Sequence, residues 1–168
     1  MSQTERKIYV PPGGPAQVAP PNPAIYAVMG EANIFAMLAD FYAELEKSSI
    51  RGMFPRNMQK ASEKSAAFFV GLLGGPPLYQ QRYGPPMMRA RHMPFSIDEA
   101  ARQVWLGCFE TVLADAPARY NFPAEHLPGF RRFLDAFSAW MVNTKADDAP
   151  DADNSGSNPN GPTLDLSA

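Results

Sequence analysis

Two histidines and one cysteine are the only imidazole and thiol groups in the chain, so ligation by nitrogen or sulfur rests on His92, His126 and Cys108. His92 stands in Met87-Met88-Arg89-Ala90-Arg91-His92-Met93-Pro94-Phe95. On a short helix Met88, four residues back, and Phe95, three residues on, can share its face and give the imidazole apolar neighbours. Near a helix end its Nδ1–H can be satisfied by a backbone carbonyl, which offers Nε2 to a metal in a fixed tautomer. Zinc would want three or four ligands, and only scattered candidates appear. Haem iron needs a single protein ligand, because the porphyrin supplies four nitrogens. A capped or exposed histidine with no metal is the alternative that these residues leave open. Cys108 cannot form an intramolecular disulfide, a C-x-x-C haem attachment or a zinc knuckle, and reads as an inert buried thiol. His126 lies beside Glu125 in a turn and is expected to face solvent.

The elements that must position His92 read as helices punctuated by Pro and Gly. Asn22-Pro23 is a start signal for the short apolar run Ala24 to Met29, which ends at Gly30. Ile34, Leu38, Phe41, Tyr42 and Leu45 recur at helical spacing and predict a helix over 32–47, broken by Ser48, Ser49 and Gly52. Ser62 to Leu73 is predicted helical, with Phe68 and Phe69, and stops at Gly74-Gly75-Pro76-Pro77. A loop with Gly84, Pro85 and Pro86 follows. Those prolines can start a short helix reaching His92, and Pro94 limits its extension. Ser96-Ile97-Asp98-Glu99 has the form of a capping box with Ser96 at the cap. Ile97, Ala101, Val104, Trp105, Cys108 and Val112 then line one face of a long helix. Leu127, Phe130, Phe133, Leu134, Phe137 and Met141 mark a last helix entered at Pro128. No segment shows sustained period-two alternation and no internal repeat is apparent. The expected fold is all-α, with five or six unequal helices in crossed packing rather than a regular bundle.

Composition bounds the rest. The chain has 168 residues, 45% of them hydrophobic, enough for one core. Residues 1–23 are Pro-rich, and residues 146–168 carry Asp147, Asp148, Asp151, Asp153 and Asp165 with no basic residue. Neither stretch has the apolar pattern that offsets ordering entropy, so both read as extensions of a domain over 24–145, the second as a disordered acidic tail. The formal net charge is −2, of which the five tail aspartates supply −5, leaving +3 for the remainder. That small excess does not argue for a nucleic-acid partner. No apolar run approaches the roughly 18 residues that span a bilayer. Arg6 and Lys7 have no apolar stretch behind them, so no secretory signal is read and a cytoplasmic location is expected.

Phe41-Tyr42, Met53-Phe54-Pro55, Gly74-Gly75-Pro76-Pro77-Leu78-Tyr79, Arg89-Ala90-Arg91-His92-Met93-Pro94-Phe95 and Trp105-Leu106 occur in that order, the tryptophan thirteen residues after the histidine. This ordered set, within about Ile25 to Met141, resembles the group II truncated haemoglobins. The resemblance implies a two-over-two helical sandwich around haem b, with His92 as the proximal iron ligand and Tyr42 as the distal tyrosine. Phe54 matches the aromatic packed on the porphyrin, and Trp105 the indole near the bound ligand. Ala61 and Ser65 match the positions over the iron, where small side chains leave a roomy distal pocket. Many members carry tyrosine in place of Phe54, and a larger aliphatic residue or glutamine in place of Ser65. In such a site Phe68 and Phe95 are further cofactor contacts. Arg91 and Lys64 are expected to pair with the propionates, Tyr79 to hydrogen-bond to them, and Arg89 to be solvated.

The hydroxyl of Tyr42 and the indole N–H of Trp105 are donors suited to a diatomic ligand that carries partial negative charge. Each bond to a charged acceptor is worth about 1.5–3 kcal/mol, which would slow ligand loss by about 10- to 150-fold. Slow release points to chemistry or sensing rather than bulk oxygen transport. The expected ligands are O₂, NO, CO or peroxide. The expected function is reversible binding with redox chemistry, either NO dioxygenation or peroxidase-like turnover. A non-catalytic sensor or ligand store is the rival. No G-x-G-x-x-G follows a strand, so an unidentified reductase would have to restore ferrous iron. A monomer or a homodimer is equally compatible with the sequence.

Overall fold

The computed structural model describes residues 6–15 and 17–145; the acidic stretch 146–168, read above as a tail, lies outside them. The described residues form eight α-helices and no strand: α1 (Ile25–Met29), α2 (Glu31–Glu46), α3 (Met58–Leu72), α4 (Leu78–Tyr83), α5 (Met88–His92), α6 (Glu99–Leu113), α7 (Ala116–Tyr120) and α8 (Leu127–Met141). Single 3₁₀ turns at Arg51–Met53 and Ala124–His126 precede α3 and α8.

Local chemistry accounts for most boundaries. Gly30, at φ 79°, turns the chain from α1 into α2, and Glu31 in the first turn of α2 suits the positive end of the helix dipole. The third helix begins four residues before the predicted Ser62, because the Asn57 side chain accepts the Lys60 N–H at 3.0 Å and caps Met58. Two short helices, α4 and α7, occupy stretches that carried no predicted helix; each spans little more than a turn and leaves no long periodicity to read. The cap of α6 is Asp98 rather than Ser96: Asp98 Oδ1 accepts the Ala101 N–H at 2.8 Å. Ser96 is engaged elsewhere, its Oγ accepting from Arg6 Nη1 at 2.8 Å, and the Ile97 N–H goes to Asn143 Oδ1 at 2.9 Å.

The architecture is two-over-two. Helix α2 packs on α3, α6 packs on α8, and α2 also meets α6 so that the pairs stack. Aromatic side chains fill the junction. Phe41 of α2 stacks on Phe109 of α6 with centroids 4.0 Å apart, and Phe109 and Phe69 both meet Phe130 of α8. Each such pair contributes about 0.5–1.5 kcal/mol beyond its burial. Phe109 is thus a central residue of the α6 inner face, whereas Cys108 beside it is only half-buried. Burial, followed by the nearby Glu44 carboxylate, pushes the Cys108 thiol upward, consistent with an inert group.

Two contacts lock the periphery of this core. Gly74, at φ 103°, ends α3 with its Cα pressed against Pro23; a Cβ there would lie 1.8 Å from the Pro23 carbonyl oxygen. Gly74→Ala is therefore expected to destabilise the fold by roughly 3 kcal/mol or more in urea or thermal melting. A loss below about 1 kcal/mol would show that α1 and its lead-in are not docked this way. At the end of α7 the buried Tyr120 hydroxyl donates to Asp40 of α2, and Arg119 stands 3.4 Å from the same carboxylate. Burial and the bond to Asp40 raise the phenol's pKa, so the folded state holds the proton more tightly than the unfolded chain. This contribution is complete below about pH 10 and is lost as pH rises through the folded value. Since Asp40 is partly exposed, Tyr120→Phe should cost about 1 kcal/mol at neutral pH and flatten the alkaline arm of the stability profile.

Candidate functional site

Residues of α3, α5, α6 and α8 line a mainly apolar cavity. Helix α3 contributes Ser65, Phe68 and Phe69, and α6 contributes Trp105. Helix α5 supplies Met88 and His92.

His92 is 2% exposed and closes the five-residue helix α5. That helix is entered through Met87, which at φ 37° takes the left-handed turn that ends the Gly84-Pro85-Pro86 approach. His92 Nδ1 bonds to the carbonyl oxygen of Met88, four residues back. A carbonyl only accepts, so Nδ1 bears the hydrogen and a neutral ring keeps its in-plane lone pair on the buried Nε2. Met88, which the sequence marked only as an apolar neighbour, thus has two functions: its side chain lines the cavity and its carbonyl fixes the imidazole tautomer.

Trp105 faces the same cavity, 8% exposed. Its ring is wedged edge-on against Phe41 at 5.5 Å and Phe109 at 5.3 Å. The indole Nε1 is buried without a hydrogen-bond partner among the described residues. A buried unpaired donor costs about 1–3 kcal/mol, and such a group in a cavity wall is what an acceptor on a bound ligand would satisfy. Tyr42 is 1% exposed on α2, its ring edge-on to Phe54 at 5.8 Å and to Phe41 at 5.6 Å. Tyr42, Phe54 and Ala61 are buried next to this wall rather than lining the cavity, whereas Ser65 lines it.

The basic and phenolic residues form a separate cluster at the side of Phe68. Tyr79 is buried with its ring edge-on to Phe68 at 6.0 Å. Arg91 stands over the Tyr79 ring at 5.5 Å and donates to the carbonyls of Tyr83 and Pro85. Lys64 lies over the Tyr83 ring at 5.1 Å. Phe95 is half-buried in the turn after α5, with its carbonyl accepting from Asn143 Nδ2 at 2.8 Å. Of the residues singled out in the sequence, Ser65, Phe68, His92 and Trp105 line the cavity; Tyr42, Phe54, Ala61, Lys64, Tyr79, Arg91 and Phe95 do not. His126 is half-buried in the turn before α8 and remote from the cavity, so it is less solvent-facing than expected. Arg89 also departs from expectation. It is half-buried and donates to the carbonyls of Trp140, Val142 and Tyr9. Ile97, Phe137, Ser138 and Met141 line the cavity and were not read as site residues. For Phe137 and Met141 the helical stripe of α8 was the available signal.

Comparison with known proteins identifies the family and the fold. A family model described as bacterial-like globin matches residues 24–137. A group 2 truncated haemoglobin of Bacillus subtilis is 33% identical over 91 residues, covering 54% of this chain and 69% of that protein. Among solved structures, phosphate-bound Hell's gate globin IV superposes with a TM-score of 0.72 and 34% identity, covering 80% of this chain and 83% of that one. The truncated oxygen-avid haemoglobin of Bacillus subtilis superposes with a TM-score of 0.65 and 28% identity over 73% of this chain and 99% of that one. The chain belongs to the bacterial-like globin family. Its two-over-two fold and its relatives place it with the group II truncated haemoglobins.

Membership implies a haem cofactor and reversible binding of a small gaseous ligand. The residues fit that group. One buried imidazole with a fixed tautomer lines an apolar cavity, and an indole N–H lining the same cavity has no acceptor among the described residues. The second histidine does not reach the cavity to compete.

Proposed function

We propose that this chain holds haem b through His92 Nε2 and retains O₂ by hydrogen bonds from Trp105 Nε1 and the Tyr42 hydroxyl, in support of redox chemistry on the ligand rather than transport. The observation that carries this reading is that one cavity is lined by both a tautomer-fixed imidazole and an indole donor that has no acceptor among the described residues. When bound, haem would supply an iron that takes a diatomic ligand and can change its redox state.

The rest of the task falls to the side chains. Met88 orients His92 through its carbonyl. Phe68 and Phe69 keep the α3 side of the cavity apolar, and Ser65 leaves space over it. Trp105 is held rigidly by Phe41 and Phe109, so its donor is preorganised and costs little reorganisation when an acceptor arrives. Tyr42, its ring edge-on to Phe54 and to Phe41, which in turn packs on Trp105, would be the second donor. Phe54 and Phe95 would add apolar contact to the cofactor, while the cluster of Lys64, Tyr79 and Arg91 would hold its propionates.

NO dioxygenation is the reaction proposed first: NO, O₂ and an electron from a separate reductase give nitrate. With peroxide as the ligand, the same two donors would polarise its O–O bond, the peroxidase-like branch. The oxygen-avid description of the Bacillus subtilis structure supports slow O₂ release here. Stopped-flow mixing of the oxygenated protein with NO tests the proposal. Rapid stoichiometric nitrate formation is expected; displacement of O₂ without nitrate would leave a ligand store or sensor.

A further inference from the structure

A five-residue helix has no capacity to hold its own orientation, yet α5 carries the one histidine in the cavity. What holds it comes largely from two segments outside the matched globin region 24–137. Arg89, one turn before His92, donates through Nη1 to the carbonyls of Trp140 and Val142, the latter at 2.9 Å, and through Nη2 to Tyr9 at 2.8 Å. Its guanidinium also lies 4.3 Å from the Trp140 ring centroid.

Asn143 is 0% exposed and grips the other side of His92. Its Nδ2 donates to the His92 carbonyl at 3.2 Å and to the Phe95 carbonyl at 2.8 Å. Its Oδ1 accepts from the Ile97 N–H and the Thr144 hydroxyl, both at 2.9 Å. Its backbone N–H donates to the Ile97 carbonyl at 2.9 Å, and its carbonyl accepts from the Tyr9 N–H at 2.8 Å. Every hydrogen-bonding group of this buried residue is therefore engaged, so any change of side chain leaves a buried partner unsatisfied. Arg6 extends the grip by donating to Ser96 Oγ at 2.8 Å and to the Met93 carbonyl.

We propose that Asn143 and Arg89 are positioning residues for His92, and that residues 6–9 form a strap that completes their latch. The orientation of the imidazole then depends on segments on both sides of the globin region. The inference rests on the reading of His92 as the haem ligand and adds to it the residues that aim the ligand.

Asn143→Asp keeps the size and the acceptor oxygen but loses the two amide donors facing the His92 and Phe95 carbonyls. Tyr9→Pro removes the N–H that reaches Asn143, outside the globin region, and Tyr9→Phe is its conservative control. Full-length wild type and these variants are compared by hydrogen exchange across residues 89–97 in the apoprotein, by haem transfer to an acceptor apoglobin, and by the iron–histidine Raman band of the ferrous form. Tyr120→Phe, remote from the latch, serves as a stability control.

In Asn143→Asp and Tyr9→Pro, exchange over 89–97 should accelerate, haem loss should rise about 10-fold, and the iron–histidine band should shift or broaden. Tyr9→Phe should match wild type in exchange and band position, and Tyr120→Phe should melt lower with an unmoved band. Should Asn143→Asp fail to fold, Tyr9→Pro decides. An unmoved band and unchanged haem loss alongside lower melting would make the latch merely structural and overturn the proposal. Absence of an iron–histidine band in the wild type would instead remove the His92 reading on which it rests.

Discussion

His92→Ala is expected to lose haem more than about 100-fold faster than wild type, beyond the 10- to 100-fold range seen when only a supporting partner of a metal ligand is removed. The expectation follows from the census of ligands. His126 is remote, Cys108 lies outside the lining, and no group of three His, Cys, Asp or Glu among the described residues could hold a metal in its place. Removing the imidazole also enlarges an existing cavity and strips the Met88 carbonyl of its side-chain donor, so a modest loss of apoprotein stability accompanies the change. Far-ultraviolet circular dichroism should remain helical, because the aromatic junction of Phe41, Phe109 and Phe130 is not touched. Added imidazole should restore haem retention by filling the vacated position. Undiminished retention without it would exclude His92 as the ligand.

Trp105→Phe is expected to produce two effects of opposite sense. The phenyl ring can keep the packing against Phe41 and Phe109, while the buried N–H that has no acceptor among the described residues disappears. Apoprotein melting should therefore be unchanged or slightly raised, since an unsatisfied donor is removed. The O₂ dissociation rate should rise by about 10- to 150-fold, the equivalent of one hydrogen bond to a charged acceptor. Stopped-flow displacement of O₂ by CO measures it. Tyr42→Phe should act in the same direction, with the larger increase in the double variant. A Trp105→Phe protein that releases O₂ at the wild-type rate would reduce the indole to a packing residue.

How far the sequence carried the fold depended on range. The helix at His92 was legible because Pro86 and Pro94 bracket it and Met88 stands one turn back, so local rules alone set its position. The start of α6 was misread because Ser96 and Asp98 are both good capping residues. Distant contacts decide between them: Asn143 takes the Ile97 N–H and Arg6 takes Ser96. The first turn of α3 had a local signal in Asn57 that the apolar pattern alone did not convey. Helices α4 and α7 are too short for periodicity.

At the site, residue types that can do chemistry stood out, but their arrangement did not. Lys64, Tyr79 and Arg91 were singled out as partners of a bound group, and the fold gathers them into one cluster at the side of Phe68. Arg89 read as one more surface cation. Its bonds to Tyr9 and Val142 span 80 and 53 residues, a separation that no local pattern records. Asn143 follows the last helix without any motif, and only the fold reveals that its amide reaches the His92 carbonyl.

The central claim, that this cavity takes up one haem ligated by His92, is tested most directly by titrating purified apoprotein with haem. Ultraviolet–visible spectra are recorded in the ferric state, after dithionite reduction, and with CO. Saturation at one haem per chain with an intense Soret band that shifts on adding CO, and weak or absent uptake by His92→Ala, is the result expected. A folded, helical protein that takes up no haem, or an alanine variant indistinguishable from wild type, would contradict it.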